Sequence, residues 1–229
     1  MGRTFGLMND AAPTAVRIAS GSHRVEVRAV DGVALEVSGD ARVERGGGGV
    51  TIDEARGRLT VLVPSGTDVV VGTTSGRVDL RGRFGQVAVV SESGRVEVER
   101  AVSVDVRTET SAIEIGEVSG ACRVRSKSGR VEVARCGAAD VASTTGRVEM
   151  RHVDGVVDAH SVSGRIELSL ERPHDVRAET VTGRIEVSLP PGTVAFQPDS
   201  PADRRLRPPD ASCTVSTRSQ TGRVVVATR

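Results

Sequence analysis

Apolar and polar positions alternate with period two in short runs, and the runs recur every 17 to 19 residues over most of the chain. Each run carries a variant of one phrase, Ser/Thr-Gly-Arg-Val-Glu-Val. It reads Ser75-Gly76-Arg77-Val78-Asp79-Leu80 and Ser93-Gly94-Arg95-Val96-Glu97-Val98. Further copies are centred on Gly129, Gly146, Gly164, Gly183 and Gly222, and an eroded copy reads Thr110-Ser111-Ala112-Ile113-Glu114-Ile115. Aligned on the glycine, the column seven residues before it holds Val69, Val87, Val104, Cys122, Ala139, Val157, Val176 and Val215. The column five before it is mostly Val or Ala. The columns two and four after it hold Val, Ile, Leu or Met in every copy. Side chains alternate faces along a strand. The pattern therefore predicts two half-buried strands per unit of about 18 residues, joined at the glycine.

The intervening columns are polar. An arginine directly follows the glycine at Arg77, Arg95, Arg130, Arg147, Arg165, Arg184 and Arg223. An acid stands two residues later at Asp79, Glu97, Glu114, Glu132, Glu149, Glu167 and Glu186. Stacked at the ~4.8 Å strand spacing, an arginine row runs beside a carboxylate row. This reads as a solvated face that keeps the coils soluble; the alternative is a recognition stripe for a partner of alternating charge. A second regularity is a pair of hydroxyl columns, three and one residues before the glycine. They include Thr73 and Ser75, Ser91 and Ser93, Ser126 and Ser128, and Ser161 and Ser163. Their parity is that of the buried valines. Both columns are expected to face inward as ladders that satisfy backbone groups at the bend, which disfavours an outward ice-binding array.

One open sheet would leave all these apolar columns uncovered on one face. Coiling each unit lets the two strand columns face each other and stacks like on like. The expected fold is all-β, a single-domain β-solenoid of about ten to eleven coils, two short strands per ~18-residue repeat. Residues 1–15 form an N-terminal extension and 16–229 the solenoid, with 16–61 less regular. Val16, Ile18, Arg24, Val25 and Val27 fit the columns with His23 in the glycine place; Val50, Ile52, Gly57, Leu59 and Val61 fit loosely; 33–44 is out of phase, and Gly46–Gly49 is a turn. Between Gly183 and Gly222 lies an interruption. Its segment 197–211 holds Pro198, Pro201, Pro208 and Pro209 with Arg204, Arg205 and Arg207. Prolines at this density exclude a central strand, so an exposed loop insertion is expected, with those arginines as candidate contacts.

Charge balances at +1, which gives no electrostatic reason for a nucleic-acid or membrane-surface partner. Trp and Tyr are absent and Phe5, Phe84 and Phe196 are the only aromatics, in keeping with a thin aliphatic interior. Residues 1–15 lack the basic start and apolar run of a secretory signal, and no stretch reaches the ~18 apolar residues of a membrane span. A cytoplasmic location follows, and Cys122, Cys136 and Cys213, odd in number and without Cys-x-x-Cys spacing, fit reduced structural thiols. No catalytic, cofactor or metal motif is found. His23, His152, His160 and His174 lack ligand spacing, and the acids form a uniform ladder with no outlier to serve as acid or base. Two outward positions are apolar, Val162 and Val181 on adjacent units. Leu170 and Leu189 nearby either extend that patch or seal the core. The last unit replaces its acid with Val225, marking either a cap contact or an open edge for association.

The segment Leu62-Val63-Pro64-Ser65-Gly66-Thr67-Asp68-Val69, running into Thr73-Thr74-Ser75-Gly76-Arg77-Val78, resembles the putative-adhesin β-strand repeat family, also called toastrack. The resemblance spans most of residues 16–229. It implies a non-catalytic sensing or interaction domain of the kind linked to bacterial envelope-stress modules, with no catalytic residues to transfer. A looser likeness is to bactofilins, β-solenoids that polymerise end to end. The expected function is a non-catalytic binding or scaffold module with an unidentified protein partner. The alternatives are self-association through end coils and, more remotely, a polysaccharide-active or adhesin-type surface protein.

Overall fold

The computed structural model describes residues 4–6, 14–46, 49–190, 204–206 and 213–228, the segments 4–6 and 204–206 as backbone only. The chain is all-β, as its periodicity requires, and adopts a β-solenoid fold. It divides into two compact units, Met1–Glu117 and Val118–Arg229. Among the described residues no helix is long and apolar enough to cross a membrane.

The first unit holds β1 (Thr4–Gly6), β2 (Ala15–Ser20), β3 (Val25–Val30), β4 (Glu36–Gly46), β5 (Gly49–Pro64) and the start of β6 (Asp68–Val153). Its coils do not stack in sequence order. The coil formed by β2 and β3 lies between β5 on one side and β6 on the other, parallel to both. Thus Val16 meets Val50 and Val69, and Val25 meets Leu59 and Val78. The out-of-phase residues form β4, which runs antiparallel to β5, with Gly46 paired to Gly49. β1, inside the expected N-terminal extension, pairs antiparallel with β4, so part of that extension belongs to the sheet.

The second unit holds the rest of β6, then β7 (Val157–Leu170), β8 (Val176–Leu189), β9 (Arg204–Leu206) and β10 (Val215–Thr228). Here the repeat becomes register. Val157 pairs with Val176, Gly164 with Gly183, Arg165 with Arg184 and Glu167 with Glu186. β10 stacks directly on β8, Gly222 on Gly183, so the extra residues before it add no parallel coil. Instead Arg204–Leu206 pairs antiparallel with Val215–Thr217. The expected loop 197–211 therefore contains a short strand; its other residues lie outside those described.

The interior is built from the four apolar columns. In β8, Val176, Ala178, Ile185, Val187 and Leu189 are buried while Arg177 and Val181 face out. Leu170 and Leu189 are buried, which assigns both to sealing the core and none to a surface patch. Each fully buried Val or Leu contributes about 1.5–3 kcal/mol relative to exposure. Aliphatic stacking thus accounts for a core in which Phe84 is the one buried aromatic among the described residues.

Cys122 and Cys136 occupy that core and all three cysteines are free. Burial raises the Cys122 thiol well above its ordinary range and pushes Cys136 up to about 11. Both are therefore protonated and shielded near neutrality. Ellman's reagent at pH 8 should titrate Cys213, which is partly exposed, and leave Cys122 and Cys136 silent until denaturant is added. Rapid reaction of all three in native buffer would contradict this burial.

Candidate interaction surfaces

The arginine and acid columns build a staggered ion ladder with a consistent direction. Among the described residues six guanidiniums reach the acid of the next coil, while Arg130 pairs with Glu132 of its own coil. In the first unit Arg58 donates from Nη2 to Glu26 Oε2 at 2.6 Å, and Arg24 Nη2 lies 2.6 Å from Asp79 Oδ2. Arg77 Nη2 then bridges both oxygens of Glu97 at 2.9 Å, and Arg95 Nη2 donates to Glu114 at 2.8 Å. In the second unit Arg147 reaches Glu167 at 2.7 Å and Arg165 reaches Glu186 at 3.1 Å. Many of these arginines also contact their own coil's acid: Arg77 Nε donates to Asp79 at 2.6 Å, and Arg165 Nε pairs with Glu167.

Two acids of this face depart from the solvated position expected from sequence. The Glu26 side chain is 2% exposed and that of Asp79 0%, while their arginines remain open to water. At these two coils the arginine stems lie over the carboxylates, whereas farther along the ladder the acids are themselves open to water, Glu114 being 46% exposed beside Arg95 at 43%. The Arg58 hydrogen bond, then the Arg28 hydrogen bond, hold the Glu26 carboxyl at about 2, well below its ordinary value, against the opposing effect of burial.

The two hydroxyl columns separate. Thr73, Ser91, Ser126 and Ser161 are buried. Ser91 and Ser126 donate to the carbonyls of Ser93 and Ser128, two residues on in the same coil. The second column does not face inward: Ser75, Ser93 and Ser128 are half-buried and Ser163 is exposed. The chain turns at the glycine, which carries the preceding residue to the rim. From there Thr145 donates to Lys127 O, and Thr182 to Val162 O, one coil back. The first column thus closes the bends at Ser91 and Ser126, and the second ties successive bends together.

Val162 and Val181 are 50% and 39% exposed. Their flanking residues pair, Ser161 with Thr180 and Ser163 with Thr182, so the two valines stand side by side on β7 and β8. The patch is bounded by Thr144 and Gln220, both exposed, in the same outward column. On the charged face of the second unit, a recess of about 330 Å³ is lined by Arg147, Glu149, Arg151, His152, Arg165 and Glu186, among others. His152 Nδ1 lies 3.0 Å from Glu171, and His160 Nε2 lies 2.6 Å from Asp158. Among the described residues no three His, Cys, Asp or Glu side chains converge as a metal site.

Of the remaining candidates, Val225 is half-buried on β10, Arg204 and Arg205 belong to β9 as backbone, and Arg207 lies outside the described residues. The structure does not bring the Val162–Val181 patch, Val225 and the arginine segment into one described site. Sequence reasoning missed the acids that bind backbone at the corners: Asp68 accepts from Gln86 N at 2.7 Å and Glu99 from Gly82 N at 2.9 Å. Asp68 had a signal, since Asp175 stands at the same place one before the first strand column and accepts from Thr214 N at 2.7 Å, whereas Glu99 has no acidic counterpart in the other copies.

The family model of Toastrack DUF4097 matches residues 10–199. Among solved structures, a putative adhesin from Parabacteroides merdae is similar with a TM-score of 0.56 at 12% identity, covering 100% of this chain and 95% of that one. A putative adhesin from Bacteroides fragilis gives a TM-score of 0.46 at 11% identity, covering 100% and 96%. No curated protein sequence matches the chain.

Proposed function

The chain belongs to the Toastrack DUF4097 family, and on that premise we propose that it is a non-catalytic β-solenoid module that binds a protein partner, as part of a bacterial stress response. The observation that carries this reading is the outward Val162–Val181 pair. In a column otherwise free to be polar, two exposed β-branched side chains stand in register on a stiff parallel stack. Exposed apolar groups set in a polar rim are the usual mark of a contact surface. The ladder supports the non-catalytic part. Its carboxylates are already engaged by guanidiniums, which hold Glu26 ionised far below neutrality and leave it poorly suited to proton transfer. The free, buried thiols support a cytoplasmic setting.

The test is differential capture. Wild type, V162R/V181R and a deletion of 197–211 are immobilised and exposed to extract of the source cells, and bound proteins are quantified. A specific partner should fall by at least about tenfold on the double variant, the scale of losing a small buried apolar contact and adding charge. Identical partner sets on wild type and V162R/V181R would overturn the patch, and identical sets on the deletion would remove the arginine segment.

A further inference from the structure

The ion ladder has a direction, and at β10 its acid is missing. Arg184 and Arg223 are in register, as are Glu186 and Val225. Arg147 and Arg165 reach the acid of the coil above, and in the same direction Arg184 would meet the position two residues past Arg223. That position is Val225, and Arg184 keeps only its own Glu186 at 3.4 Å. Arg223 has Val225 two residues on, is exposed, and forms no ion pair among the described residues.

The core shows the same interruption independently. The columns two and four after the glycine are buried through Ile185 and Val187, yet Val224 and Val226 are only half-buried. The first half of β10 behaves differently: Val215, Thr217 and Ser219 are buried, and β9 pairs with Val215–Thr217. Beyond Thr217 no described strand pairs with the free edge of β10. Among the described residues the second half of this coil therefore has no backbone partner on that edge, no cover for two valines and no carboxylate on Arg223.

We propose that Gly222–Thr228 is a docking edge for an extended segment of a partner protein, added as a parallel strand with the pattern apolar-acidic-apolar. In parallel register the two apolar side chains continue the columns of Val224 and Val226. The acid falls above Val225, where the Arg223 guanidinium can reach it as Arg165 reaches Glu186. Backbone pairing supplies affinity and the guanidinium–carboxylate contact supplies selectivity. A second copy fits less well. Antiparallel pairing of two β10 edges about Val225 sets valine against valine and brings no acid to Arg223. This edge is separate from the Val162–Val181 patch, so the failure of either leaves the other standing.

The probe is a fluorescein-labelled peptide with a central Val-Glu-Val between Ser and Thr residues, compared with Val-Lys-Val by fluorescence anisotropy on the full chain. Wild type should prefer the Glu peptide by roughly tenfold, the scale of one charge-assisted contact. R223E should reverse the preference. V225E, which gives Arg223 its own acid and restores the pattern of the other coils, should weaken the Glu peptide while keeping the fold. A Glu preference that R223E does not move would overturn the proposal. So would absence of saturable binding, or a wild-type dimer in sedimentation that dissociates in V225E and excludes the peptide.

Discussion

Replacing Gly146 by alanine is expected to destabilise the second unit by about 3–5 kcal/mol, from backbone strain and steric overlap together. Gly146 has φ of +137°, a region that L side chains rarely adopt, and a Cβ built there would lie 2.0 Å from the carbonyl oxygen of Gly129 one coil earlier. That oxygen is backbone in a parallel ladder, so relief requires moving a whole coil. A chain of this size should lose roughly 6–20 °C in Tm for such a change. The control is Gly21→Ala. Nothing lies within 4 Å of a Cβ there, and its φ is outside the strained region. That variant should stay within about 0.5 kcal/mol of wild type. Equal urea midpoints for the two variants, followed by far-UV circular dichroism, would show that glycine stacking does not set stability.

The same glycine shows what the sequence made legible. Its column was readable as a bend between two strands, and the parallel register confirms the bend. Its closer reason, contact with the glycine one coil away, belongs to stacking and has no local signature. The apolar columns were readable because burial on one face imposes period two, and Ile185 and Val187 lie where that parity puts them. The order of coils was not. A strand pattern states which face is buried but not which strand lies beside it, so nothing in residues 16–61 revealed that β2 and β3 insert between β5 and β6. The second hydroxyl column misled because parity was carried through the bend, where strand alternation stops applying. Two ladder acids, Glu26 and Asp79, misled for a different reason. Charged residues are ordinarily exposed, and only the length of arginine, laid across the neighbouring coil, explains why Asp79 is covered.

That covering makes acid stability the sharpest measure of the ladder. Glu26→Gln keeps the side-chain volume and removes the charge between Arg58 and Arg28, which lie 2.6 Å and 2.7 Å from its oxygens. The loss at neutral pH should be about 1–3 kcal/mol, below the cost of breaking a fully buried pair, because both arginines stay solvated. The pH dependence follows from the lowered carboxyl. With a folded-state value of about 2 against the ordinary 4.5, the unfolded chain binds the proton more readily. The contribution is therefore present in full above about pH 5 and is lost as pH falls from there toward 2. Denaturant titrations of wild type and variant should show a constant gap between pH 5 and 7, narrowing steadily below pH 4.5. A gap that persists unchanged to pH 2.5 would assign the effect to packing. The ladder would then be a consequence of coil stacking and would no longer count among its causes.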